Sequence, residues 1–591
     1  MITMKYLKIT VIAALLTVTA GFQSCDLDEY NPSGATADAI FTTKAGMEGL
    51  VNSIYFNFRW KYYGREDPVL YMEGGTDLWY NYGLVGYGNA LTQYLNLDWG
   101  QGQLKTLWER QYDIINLCNT GINRLPEVDY GSDAYLKPCR EGEFRFMRAY
   151  CYWWLVEFFG GVVARTEETS TVELTADRTA PADIYDQIIL PDLQLACQLL
   201  EAEPIDGMVG RATKKAAYGA LARAALSRAA YGDAETYNQM ALDAAKELIE
   251  NPSAYKTRLY DNYEEIFAYQ NNKTNEEALF VVTYDRTSTY NPDSNPNRLI
   301  NYFNPIYNQV CGMSLEMAYG GSPNFSINNT CSMMPTRYLL ELFDEGDMRY
   351  DVSFLEAFIQ NNPEGWVWSK DMVDAFAKPA SFEGNVSIQY GDTALLHTRK
   401  VIPQSVKDSA PYAIADINDV YDAQTGVIKG AEWARFFPKL HKYIDLGRAT
   451  TSSPSTNDVI VIRLAEMYLI AAEASIGLGR TTEAAQYINA LRKRAVRPGY
   501  EDRMTVSAAD MTVEFILEER ARELCGEHMR WFDLKRTGKL VENIKKYNPT
   551  ITQIQNHHIL RPIPQSFLQS ILNAEEFGQN PGYTQPGSLF Q

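Results

Sequence analysis

Apolar positions along the chain follow a helical spacing in two blocks, separated by a long stretch with no regular period. From about residue 38 to 251 the pattern is helical. GRATKKAAYGALARAALSRAAYGDAETYNQMALDAAKELIE reads as two helices separated at residues 231–233. Ala216, Ala220 and Ala224 recur every four positions with Ala217, Leu221 and Ala225 beside them. A face this smooth predicts a close helix–helix crossing. Upstream, EFRFMRAYCYWWLVEFFGG predicts a helix so aromatic that most of it is buried, ended by Gly160 and Gly161. A second helical block runs from about 458 to 538. There VIVIRLAEMYLIAAEASIGLGRTTEAAQYINALRKRA again reads as a helix, a short turn at 479–481, and a helix. The scaffold therefore breaks off and resumes, as a discontinuous array of helix pairs.

Between the blocks, from about 255 to 455, the composition changes. NPDSNPNRLINYFNPIYNQV, AYGGSPNFSINNT and QNNPEGWVWSK are dense in Asn, Pro, Gly, Tyr and Trp, the chemistry of turns and long loops. Loops of this length in a compact protein are often functional. Toward the end, RPIPQSFLQSILNAEEFGQNPGY places Pro562 and Pro564 in an extended segment before a short helix. The expected division is 1–24, a targeting segment; 25–255, helical; 256–455, loop-rich; and 456–591, helical and packing back on the scaffold.

The first segment follows from charge and length. Lys5 and Lys8 precede an uncharged apolar run at 9–21, shorter than the ~18–20 residues a spanning helix needs. A basic start, a short apolar middle and small residues before a cut site describe a secretory signal. The segment resembles a bacterial lipoprotein signal, with Cys25 as the lipidated residue. Ser24 fits that pattern, whereas Phe22 and Gln23 depart from it. Asp26, Asp28 and Glu29 resemble the export signal that sends lipoproteins of the Bacteroidetes to the cell surface, and they keep the tether solvated.

The formal charge of −20 excludes a nucleic-acid binder on ordinary grounds, because phosphate binding draws on clustered Lys and Arg. Eight cysteines show no CxxC spacing. Cys311 and Cys331 flank a loop-like stretch and either bridge or stay free thiols. The five histidines have no metal-ligand spacing, GLVGYG has its glycines in the wrong order for a dinucleotide fingerprint, and no phosphate loop appears. No cofactor or metal is expected, and no catalytic constellation stands out. Charges on the apolar helices are expected to form internal ion pairs: Arg463, Glu466 and Glu473 on one helix, with Glu518/Arg522 and Arg530/Asp533 as helix staples.

ASIGLGRTTEAAQYINAL resembles the tetratricopeptide repeat, with small residues at the tight crossing. Four further stretches resemble the SusD/RagB family: RATKKAAYGALARAAL, MPTRYLLELFDEGDMRY, VIRLAEMYLIAAEA with INALRKRA, and ERARELCGEHMRWFDLKRTG with the terminal QNPGY. They occur in the family's order. The resemblance implies a mostly α fold, a tetratricopeptide-like helical repeat scaffold with a long loop-rich inserted region. It also implies an outer-membrane, cell-surface lipoprotein that is not an enzyme. Such a protein captures an oligosaccharide or polysaccharide and hands it to a SusC-like TonB-dependent barrel. Alternatives are a RagB-like peptide-capturing lipoprotein and an interaction scaffold with no small ligand.

A glycan site needs rings for C–H faces and Asn, Asp or Arg for hydroxyls. EGGTDLWYNYGLVGYG supplies Asp77, Trp79, Tyr80, Asn81, Tyr82 and Tyr87; the middle loops supply Tyr302, Tyr307, Tyr319, Asn324, Trp366 and Trp368. The acidic balance favours neutral over acidic glycans.

Overall fold

The computed structural model describes residues 37–82, 86–285, 297–305, 307, 310–314, 332–430, 432–433, 436–448 and 455–586. The chain is mostly helical, and its helices stack in one continuous series. Gly102–Arg124 packs on Leu136–Phe159, which packs on Leu190–Leu199; Lys214–Arg228 follows, then Ala234–Glu250. The next member of the series is Leu464–Gly477, which lies on Ala234–Glu250 after the whole middle region has intervened, and Thr481–Lys493 lies on it in turn.

The sequence accounts for these contacts. Ala216, Ala217, Ala220, Ala224 and Ala225 are all buried, so the 214–228 helix touches neighbours on more than one side. A Cβ on Gly219 would stand 3.0 Å from Ile462, and one on Gly477 would stand 2.2 Å from Asn238. Both crossings are close, and a side chain at Gly477 would have to push the Asn238 amide aside. Leu136–Phe159 is buried along most of its length and ends at Gly160, whose φ of 74° suits glycine. The turn between 214–228 and 234–250 uses left-handed backbone at Gly232 and Asp233.

The middle region leaves and rejoins the scaffold through one ladder. Strand Ala278–Val282 pairs antiparallel with Val459–Arg463, Val459 opposite Val282 and Arg463 opposite Ala278. Beyond that neck the region holds short strands, of which Ala357–Ile359, Thr393–Thr398 and Ala413–Asp416 form a three-stranded sheet. The C-terminal segment is sewn back by side-chain amides. Asn580 donates to the carbonyls of Phe159 (3.0 Å) and Arg561 (2.7 Å), and Gln579 bonds both backbone groups of Ile563.

A buried ion-pair network sits where neck, helices and middle region meet. Arg463 donates to Glu277 (2.9 Å), Glu523 (2.7 Å) and Glu527 (2.7 Å). Arg494 reaches Glu277 and Glu523, and Arg349 reaches Asp347, Glu519 and Glu523. Arg492 and Arg522 add to Glu519, and Lys442 adds to Glu527. A second set joins Arg223 to Glu466, Arg520 to Asp533, and Arg536 to both Asp533 and Glu473. The expectation of internal pairing holds, with different partners in two places. Arg522 bonds Glu519 more closely than Glu518, and Arg530 leaves Asp533 for Asp77.

Burial alone would raise the Glu523 carboxyl, but the Arg494, Arg463 and Arg349 guanidiniums hold it well below the usual carboxylate range. Its contribution to stability is therefore present above the unfolded carboxylate pKa and lost as pH falls through the folded one. Glu523→Gln leaves three buried guanidiniums short of charge and should cost about 3–5 kcal/mol, the range for breaking a buried pair. Guanidinium chloride unfolding at pH 7 checks this; a loss under about 1 kcal/mol would count against the network as a keystone.

Candidate functional site

The stretch 73–82 is a strap held at nearly every residue. Gly75 has φ 75°, and a Cβ there would stand 2.0 Å from the Thr92 carbonyl oxygen, so only glycine lets the strap pass. Asp77 is fully buried and accepts two bonds from Arg530 (2.7 and 2.6 Å) and one from Asn543 (3.1 Å). Asn548 donates to the carbonyls of Thr76 and Trp79. The strap then becomes strand Trp79–Asn81, paired antiparallel with Met333–Pro335: Trp79 opposite Pro335, Tyr80 opposite Met334, Asn81 opposite Met333.

This ladder corrects part of the expected ligand face. Trp79 is fully buried, edge-on to Phe303 at 4.8 Å. Asp77 and Asn81 are equally buried; the Asn81 side-chain oxygen accepts the Ser332 N–H at 2.9 Å. Tyr302 and Tyr307 are also core residues, the latter against Phe358 at 4.8 Å. Trp368 is 1% exposed; it donates Nε1–H to Pro411 O and lies 5.2 Å from the Lys378 ammonium. All six are buried: Trp79 and Asn81 where the scaffold meets the middle region, Tyr307 and Trp368 inside the middle region, and Asp77 against the 530–543 segment.

Tyr80, Tyr82 and Trp366 remain half-buried, Tyr80 and Tyr82 just before residues 83–85. The ladder extends one step beyond its strands, with Tyr82 N–H donating to Ser332 O at 3.0 Å. Residues 83–85 and 315–331 therefore start from adjacent positions. On the other side of 315–331, Ser314 is pinned by Asn361, whose amide bonds both its N–H and C=O (2.8 and 2.6 Å), and Cys311 O accepts from Gln360. Trp366 stands there: a Cβ on Gly312 would meet its ring at 2.6 Å. The tyrosine-rich stretch and the middle loops, far apart in sequence, thus share one end of one ladder. Tyr319 and Asn324 lie outside the described residues, as do Cys25, Cys331 and the Tyr87 side chain.

Sequence reasoning missed a cleft of about 620 Å³ at the root of 286–296, lined by Tyr55, Phe56, Arg59, Lys273, Tyr284 and Asp285 among others. Phe56 is 48% exposed, with the Arg59 guanidinium 5.9 Å from its ring. The available signal was YFNFRW, an aromatic run that continues onto the solvent side of its helix.

Among the described residues no three His, Cys, Asp or Glu side chains converge as metal ligands. Burial holds the histidines in their neutral form, pushing His528 down to about 4 and His397 down to about 3. The Cys311 thiol is buried and pushed up to about 12. Among the described residues no helix is long and apolar enough to cross a membrane.

The comparisons with known proteins bear on this arrangement. The profile of the SusD family matches residues 263–583, over half of the chain. The chain belongs to the SusD family. A second profile, described as starch-binding and associating with the outer membrane, matches residues 47–226. Among curated SusD relatives, the SusD-like protein P2 of Formosa agariphila is 24% identical, covering 98% of this chain and 100% of its own. The starch-binding protein SusD of Bacteroides thetaiotaomicron is 25% identical over 83% of this chain and 81% of its own. Among solved structures, a laminarin-binding SusD-like protein has a TM-score of 0.64 at 22% identity, covering 92% of this chain and 100% of its own. A SusD homolog from Bacteroides thetaiotaomicron has a TM-score of 0.67 at 19% identity, covering 94% and 100%. The tetratricopeptide-like helical fold expected from the sequence is the fold observed.

The strap carries one titratable oddity. Glu73 is buried; desolvation pushes its carboxyl up to about 8 against the lowering pull of the His528 and Met529 N–H groups and Arg530. A raised folded pKa stabilises fully below the unfolded value near 4.3, and the benefit is lost as pH rises through about 8. Glu73→Gln keeps the shape and removes the proton, so its unfolding midpoint should fall less between pH 6 and 9 than that of the parent chain. Parallel pH profiles would refute the assignment.

Proposed function

We propose that this SusD-family protein is a non-enzymatic, cell-surface glycan-capture lipoprotein. It binds oligosaccharide or polysaccharide, neutral chains in preference to acidic ones, at the ladder end. The observation that carries the reading is the meeting of the two Tyr/Trp/Asn-rich stretches at Tyr82 and Ser332, with Tyr80 and Tyr82 at that end and Trp366 beside Gly312 at the other end of 315–331. Rings for C–H faces and amides for hydroxyls are the pairing a neutral sugar requires. The starch-binding and laminarin-binding descriptions of relatives support the ligand class, and the outer-membrane description of the 47–226 profile supports the location. In this reading Cys25 carries the lipid, and the captured glycan passes intact to a SusC-like TonB-dependent barrel.

Affinity electrophoresis in gels holding neutral or acidic polysaccharides tests the capture. Trp366→Ala should weaken retardation about tenfold, the scale of one lost aromatic stacking contact, with a smaller loss of stability than a fully buried tryptophan, since Trp366 is half-buried against Trp368. Trp79→Ala should instead cost about 3–5 kcal/mol of stability, as a buried aromatic truncation does. Retardation indifferent to Trp366→Ala would overturn the site, and retention of extended peptides in place of sugars would favour the RagB-like alternative. Cys25→Ala should abolish acyl labelling and surface retention; labelling that survives the change would remove the anchor.

A further inference from the structure

A cavity of about 340 Å³ opens well away from the ladder, between helix Gly102–Arg124, the 163–173 connection and the C-terminal helix Gln565–Ser570. None of its lining residues belongs to the strap, the neck or the roots of the undescribed loops. Its back wall is a ring cluster: Trp108 sits 5.2 Å from Tyr112 and 4.8 Å from Phe567, both tilted against it. Trp108 is buried, so the half-buried Tyr112 and Phe567 rings are the surfaces offered to a ligand. Tyr112 is locked, since its hydroxyl donates to Val163 O at 2.9 Å and accepts the Val163 N–H at 3.0 Å. Just beyond the lining residues Glu173 and Ile571 the two chain segments are tied together, by Leu572 N–H on Leu174 O and by the Asn573 amide bonded both ways to Ala176.

The rim supplies the complementary half of the chemistry. Glu109, Asp113 and Glu173 present carboxylate acceptors, Ser566 and Ser570 present hydroxyls, and Arg165 pairs with Glu173 at 2.9 Å. Each rim carboxylate has a cation beside it, Glu173 with Arg165, Asp113 with Arg110 at 3.2 Å and Glu109 with Lys105 at 3.8 Å, so the rim is near neutral and suits an uncharged ligand that donates several O–H groups. The volume lies at the small end of the roughly 300–1,000 Å³ range of ligand sites. We infer that this cavity is a second, independent carbohydrate site, taking one uncharged pyranose unit edge-in between Tyr112 and Phe567, with its hydroxyls on the carboxylate rim. The inference rests on the glycan reading above and extends it. Two sites on one chain engage one polymer, and the second contact adds avidity without tightening the first.

Ser566→Trp and, as an independent variant, Ser570→Trp fill the mouth from positions that are not core. The test uses the full-length chain in detergent, with far-UV circular dichroism confirming the fold. Against a polysaccharide that the parent chain retains, either variant should weaken retardation roughly three- to tenfold through lost avidity, and should act additively with Trp366→Ala. Full parental retardation by both variants overturns the second site while leaving the ladder-end reading intact. If the parent chain retains no polysaccharide, the ladder-end reading fails, and the cavity is judged by saturation-transfer NMR with methyl β-glucoside and glucuronate. A glucoside signal that Ser566→Trp abolishes, absent for glucuronate, supports the cavity alone; no signal, or equal signals for both sugars, overturns it.

Discussion

Glu523 accepts from three arginines that arrive from three places in the chain, and the rest of the architecture depends on that convergence. Arg463 comes from the returning strand of the neck, Arg494 from the end of a scaffold helix, and Arg349 from the middle region. Each ion is costly to desolvate and is tolerated only while its partners stay in place. The network therefore ties correct docking of the middle region to correct stacking of the helices. A hydrophobic contact in the same position would permit sliding; bidentate guanidinium–carboxylate geometry does not.

The candidate site inherits its placement from this base. The strap 73–82 lies on the helix that follows the network, through Asp77 on Arg530 and Glu73 on Met529. The strap fixes the ladder, and the ladder fixes the roots of the two loop stretches. Asp77, Trp79 and Asn81, expected at the ligand face, are buried parts of this support. Asp77 and Trp79 fix the position of Tyr80 and Tyr82.

Much of the scaffold was legible in the sequence, because alanine and aromatic spacing report directly on helix faces. The helix pairs at 214–250 and 464–493 fall where the periodicity puts them. Charges on apolar helices were legible as buried, but their partners were not, since Arg463 finds Glu277 and Glu527 across long separations that no local spacing encodes. The site was read less well. Gly74, Gly75 and Asp77 have the composition of a wet loop, yet Gly75 is there to clear Thr92 and Asp77 to neutralise Arg530. Composition registers residue types, and the same types serve a tight buried turn and an open one.

The neck between Ala278–Val282 and Val459–Arg463 has a consequence for how such a chain diversifies. Because the two strands are held side by side, surface segments between them that touch neither the Trp79–Pro335 ladder nor Arg349 count in free energy chiefly as loop length. The entropy of closing a loop grows only as the logarithm of its length, about 0.6 kcal/mol per doubling. Insertions, deletions and wholesale exchange of surface segments beyond the neck therefore leave the helical stack nearly untouched in free energy. Selection can rewrite the recognition surface for a new ligand at a rate set by chemistry at that surface, with the foundation held constant.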